Sequence, residues 1–165
     1  MNIKKTSRLA MLTALSIVIG IIESYIPIFA SIVPGLKLGL SNVIIILVLY
    51  NYNFKDALSV SLIRVFIIGL IRTGLFTIPF FFSLAGTVLS IITMALAKKI
   101  KIFSLIGVSI IGSISHSIGQ ILVGLILINK SIIYYLPYLL LFSIPTGLIV
   151  GIISQKLIKN MSNLN

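Results

Sequence analysis

Apolar residues run through this chain in stretches with almost no interruption: Val43 to Tyr50, Val65 to Ile71 and Leu136 to Ile144 hold next to nothing that can face water. Hydrocarbon accepts a backbone only where every amide is satisfied internally, which restricts such stretches to helices or a closed barrel. They are too long and too uniformly apolar to alternate as barrel strands, so helices are expected. Composition points the same way. Of the 165 residues, 59% are hydrophobic and 9% charged, where a soluble domain carries about a quarter charged residues. A water-soluble fold would have no polar residues left for its surface.

A span needs roughly 20 apolar residues, so a chain of this length holds about six if its connections are short. The expected architecture is an all-α bundle forming a single transmembrane domain over 1–165, with helices near 8–30, 37–51, 55–72, 79–97, 104–128 and 132–157. Breakers mark the joints: Pro27 with Pro34-Gly35, Asn51-Tyr52-Asn53, Thr73-Gly74 through Pro79, the Lys98 to Lys101 cluster, and Asn129-Lys130. The first run has the basic start of a signal peptide. No small-x-small cleavage site stands out before Pro27 and more spans follow, so it is expected to be a retained helix. No repeat relates the two halves, which weighs against an inverted-repeat transporter.

A net charge of +11 raises the question of nucleic acid, and the placement of the thirteen cations answers it. Lys4, Lys5 and Arg8 precede the first run, Lys55 lies in the second connection, Lys98, Lys99 and Lys101 follow the fourth run, and Lys156 and Lys159 come near the end. That is the positive-inside pattern rather than a nucleic-acid footprint. It predicts a multi-pass protein in the lipid bilayer with both termini cytoplasmic. Cysteine is absent, which excludes disulfides and thiolate metal sites.

Polar side chains inside a span are costly and invite a functional explanation. Glu23 lies deep in the first helix, and Asn42 begins the second just after Lys37. In the third, Ser61, Arg64 and Arg72 share one broad face. Ser109, Ser113, His116 and Gln120 step by four, three and four along the fifth, a polar stripe that Gly124 continues. Glu23, Lys37, Asn42, Arg72, His116 and Gln120 come from four helices yet share the expected outer half, which describes a cavity opening outward. Two readings are open: these groups hold a ligand, or they satisfy one another, as in a Glu23–Arg64 pair. Lys37, Arg64 and Arg72 outnumber Glu23, so a bound small molecule is expected to carry a carboxylate or phosphate.

Small residues at helical spacing, among them Gly86 and Ser90, Ser113 and Ser117, and Gly147 and Gly151, predict close helix packing. Ala10 and Ala14 differ because they sit at the cytoplasmic start of the first helix, within reach of a partner protein. Catalytic constellations are missing. With one Asp, one Glu and one His there is no carboxylate pair for Mg²⁺-diphosphate chemistry and no metal cluster, and no Walker-type loop occurs. Neither an enzyme activity nor a cofactor is implied.

Several segments carry a family resemblance: Pro34-Gly35-Leu36-Lys37-Leu38-Gly39-Leu40-Ser41-Asn42, Ser61-Leu62-Ile63-Arg64-Val65, Ser83-Leu84-Ala85-Gly86, Gly112 through Gln120, and Tyr134-Tyr135-Leu136-Pro137. Together they resemble the Gx transporter family, a small bacterial membrane family often labelled heptaprenyl diphosphate synthase component I. The resemblance implies a relation to the S components of energy-coupling factor transporters, and with it a bacterial cell membrane, six helices and a ligand pocket near the outer surface. Read as a substrate-capture subunit of this kind, the chain is expected to bind its substrate through the polar groups Glu23, Lys37, Asn42, Arg64, Arg72, Ser113, His116 and Gln120. By the same resemblance Ala10 and Ala14 dock a transmembrane coupling subunit, energised by two ATPases. Two other functions stand beside this one. The chain could be a non-catalytic accessory subunit or scaffold for isoprenoid, quinone or electron-transfer machinery, or a stand-alone proton-coupled carrier with Glu23 and His116 as the relay.

Overall fold

A computed structural model describes residues 3–25, 39–100 and 102–162. Among these residues the chain is all-helical, with six α-helices and no strand: α1 Ile3–Tyr25, α2 Ser41–Asn51, α3 Phe54–Ile68, α4 Ile78–Lys99, α5 Leu105–Leu127 and α6 Leu136–Ser162. A single π-type turn, Gly69–Thr73, widens the end of α3, and a 3₁₀ turn, Lys130–Tyr135, leads into α6. Four segments are long and apolar enough to cross a bilayer, namely α1, α4, α5 and Lys130–Met161.

Helix α2 differs from the rest. Its sequence is apolar on every side, and a helix of that kind has to be surrounded by protein. Val43 through Leu49 are all 5% exposed or less, and Val48 is fully buried. The helices around it bury one face and turn another outward. Met11, Leu70, Ile126 and Leu141 are each 65–81% exposed, a surface that lipid tails can cover and water cannot.

Local chemistry sets the ends. Asn53 caps α3 by accepting from the Asp56 amide at 2.8 Å, and Ser104 caps α5 by accepting from Gly107 at 3.2 Å. Pro79 opens α4, where its missing N–H is no loss. The expected second helix, 37–51, starts at Ser41: Gly39 adopts φ +74°, a left-handed conformation incompatible with a helix, and Leu40 turns the chain. The expected third helix, 55–72, is α-helical only to Ile68, and its last turn relaxes to π geometry where Gly69 passes Phe80.

Close approach of backbones holds the later helices together. A Cβ on Gly86 or Gly119 would fall within 2.9 Å of the backbone of the facing helix, which fixes the α4–α5 crossing. Gly147 and Gly151 of α6 stand in the same relation to Ile110 and Ile106 of α5, and Ser109 donates to the Gly147 carbonyl at 2.7 Å. One end of the bundle gathers cations. There Lys5 pairs with Asp56 at 2.6 Å, and Lys98 donates to the Leu49 carbonyl at 2.7 Å while lying over the Tyr50 ring.

Candidate ligand-binding site

Helix α2 begins at Ser41, and beyond that end the described helices leave a space between them. The space there is a chamber of about 100 Å³. Its floor is the start of α2, where the first amides of the helix have no carbonyl to bond within it. Glu23, 7% exposed, answers them: its carboxylate accepts from the Gly39 amide, from Leu40 at 3.1 Å and, more weakly, from Ser41. A carboxylate at a helix N-terminus also meets the positive end of the helix dipole.

Arg64 of α3, 5% exposed, reaches the same floor from the other side. Its Nη1 donates to Ser41 Oγ at 2.9 Å and to Asn42 Oδ1 at 3.0 Å. Glu23 and Arg64 therefore meet through Ser41 rather than face to face. Both Arg64 bonds use one nitrogen, and Nε and Nη2 make none among the described residues. A guanidinium edge is thus left along the chamber wall, in the form that accepts a carboxylate or phosphate through two parallel hydrogen bonds.

The opposite wall is α5. His116, Gln120, Ser113 and Ser117 all line the chamber, and the Gln120 amide nitrogen stands 3.4 Å from His116 Nε2. Gly86 makes room for the imidazole, since a Cβ there would lie 2.8 Å from the His116 ring. Thr87 contributes from α4. It is 3% exposed, and its hydroxyl has no hydrogen-bond partner among the described residues. Thr93 and Thr146 return theirs to their own helix, the usual habit of the residue.

Of the residues singled out from the sequence, Glu23, Asn42, Arg64, Ser113, His116 and Gln120 line this one space. Arg72 does not. It stacks on the Tyr25 ring at 3.8 Å and donates to Ser24 Oγ at 3.0 Å, tying the end of α1 to the π turn. Lys37 lies outside the described residues. Among the described residues the lining holds Arg64 and Glu23, one cation and one carboxylate. Sequence reasoning passed over Thr87, Ser143 and Thr146, which also line the chamber. A signal existed, because Ser83, Thr87 and Ser90 repeat on α4 the four-and-three spacing that marks the stripe on α5.

Fold and site together define a multi-pass helical membrane protein with a polar chamber at the tip of a central short helix. The chain belongs to the heptaprenyl diphosphate synthase component I family, whose model matches residues 12–157. No curated protein and no solved structure matches it.

Proposed function

We propose that the chain is a membrane-embedded substrate-binding subunit, similar in role to an S component, that captures a small anionic molecule for uptake powered by separate ATPase and coupling subunits. The observation that carries this reading is the chamber itself, lined by an arginine edge and a buried threonine hydroxyl that have no partner among the described residues, with a His–Gln pair on the opposite wall. Buried polar donors without partners are expensive, and a bound anion would satisfy them. Arg64, Thr87, His116 and Gln120 make the contacts, while Glu23 and Asn42 hold Arg64 and the α2 N-terminus in place. Cytoplasmic termini follow from the positive-inside distribution, and they put the chamber toward the outer surface.

Ala10 and Ala14 are both exposed on α1 beside Met11 and Leu15. A face of small residues among larger apolar ones suits close docking of another helix, and we assign it to the coupling subunit.

The test is binding by the purified protein in nanodiscs. Arg64→Lys keeps the charge and loses the fork, so affinity for a phosphate- or carboxylate-bearing ligand is expected to fall about tenfold, the effect of about 1.4 kcal/mol. A wild-type protein that retains no small molecule on purification, and whose unfolding temperature moves with no anion tried, would overturn the reading.

The family description favours a second function, an accessory role beside a partner synthase component. Catalysis by this chain is not part of it, since Asp56 and Glu23 are the only acidic residues; they lie apart, one paired with Lys5 and the other bound to α2. It predicts stable co-purification with a soluble prenyl diphosphate synthase, and synthase activity insensitive to Arg64→Lys.

A further inference from the structure

A second cavity of about 310 Å³ lies beside the chamber, and its walls are of a different kind. Phe82 of α4, Ile121 of α5, Ile132 and Tyr135 of the 3₁₀ turn and Leu139 of α6 make it largely apolar. Gln120 and Leu139 line both spaces. The two cavities therefore adjoin, with those two side chains between them. The Gln120 amide stands near His116 on the polar side, and Leu139, 4% exposed, packs with Ile121 and Ile132 on the apolar side. Ile128 and Tyr135, about half exposed, rim the mouth.

Each space alone is an awkward site. The chamber has the polar groups but room for little more than a few waters or one compact anionic group. The neighbouring cavity has the volume and opens at its mouth, but its surface is mostly apolar, with Asn129 and Ser131 near the rim besides Gln120, and it offers no charged side chain to orient a ligand. Joined, they form a site with a charged end and an apolar end.

We infer that the ligand is an amphiphile, with a phosphate or carboxylate head on the Arg64 edge and the Thr87 hydroxyl, and an apolar chain or ring system passing between Gln120 and Leu139 into the second cavity. This rests on the ligand-capture reading and specifies its substrate class. The same chemistry has two sources, a free amphiphile from outside the membrane and a membrane lipid that inserts its headgroup.

Inorganic phosphate, ethyl phosphate and hexyl phosphate, titrated calorimetrically into the protein in nanodiscs against empty nanodiscs, separate the possibilities. Each buried methylene is worth a factor of about four in affinity, so hexyl phosphate is expected to bind at least ~10-fold tighter than ethyl phosphate. Ile132→Trp, which fills the apolar cavity, is expected to remove that difference, and Ile132→Ala to keep it. Arg64→Lys is expected to weaken both alkyl phosphates alike. Equal affinity for ethyl and hexyl phosphate would overturn the amphiphile while leaving an anion-capture subunit in place. Failure of inorganic phosphate and both alkyl phosphates to bind, with no anion retained on purification, would sink the capture reading and the amphiphile with it. A chain-length gain that survives Ile132→Trp and ignores Arg64→Lys would mean partition elsewhere, and overturns the assignment too. Stoichiometric phospholipid in the organic extract, displaced by hexyl phosphate, would support the site with a lipid as its source; its absence alongside tight hexyl phosphate binding would support a free amphiphile.

Discussion

Glu23 is the residue on which the chamber depends, though it is not the one a ligand would meet first. Its carboxylate satisfies amides at the start of α2, and Ser41, which it touches at 3.4 Å, also takes the Arg64 bond. Glu23→Gln keeps the shape and loses the charge, and is expected to lower stability by about 2 kcal/mol, read as a lower unfolding temperature in detergent. Arg72→Ala removes a cation that lies outside the chamber; ligand affinity is expected to stay within about twofold of wild type, which a binding isotherm checks. At this scale the sequence is informative about type and weak about partner. The isolated Glu23, Arg64 and His116 stand out because an apolar chain makes each polar residue conspicuous. That Arg64 bonds Ser41 and Asn42, and that Arg72 leans the other way onto Tyr25, depends on helix rotation and on the π turn, which residue spacing does not encode. Thr87 hides for a different reason, since a hydroxyl on a mostly apolar helix, even in a stripe with Ser83 and Ser90, reads as ordinary packing until its usual i−4 bond proves absent.

At the scale of elements, small residues decide which helices touch. Gly86 serves two purposes, bringing α4 against α5 and giving the His116 ring its seat. Gly86→Val is therefore expected to cost about 2 kcal/mol by overpacking and to weaken ligand binding through a displaced imidazole; differential scanning fluorimetry and a binding isotherm read the two effects separately. Gly147→Val presses on Ile110 and Ser113 of α5 and is expected to cost a similar amount, about 2 kcal/mol, without touching His116. The pairing of glycines was legible as small residues four apart, and six helices were legible as apolar runs divided by Pro, Asn and Lys. The start of α2 was not. A run from Lys37 to Asn51 has no proline inside it, and the positive φ of Gly39 puts the start of α2 at Ser41.

For the whole molecule, apolar surface faces outward, a uniformly apolar helix occupies the centre, and the polar groups collect where that helix ends. If the exposed face of α1 docks a coupling subunit, Ala10→Leu with Ala14→Leu should reduce its co-purification by about tenfold, a loss of ~1.4 kcal/mol, while leaving the unfolding temperature of the isolated chain unchanged. The short central helix also bears on how the protein is made. At 1.5 Å per residue its eleven residues cover roughly 16 Å, about half of a hydrocarbon core. Such a segment is too short to span the bilayer alone, and the amides of Gly39, Leu40 and Ser41 take their acceptor from another helix. It has to be admitted in company, after α1 has brought Glu23 to receive it and with α3 close behind. The order in which the ribosome delivers these helices is then part of what makes the chamber.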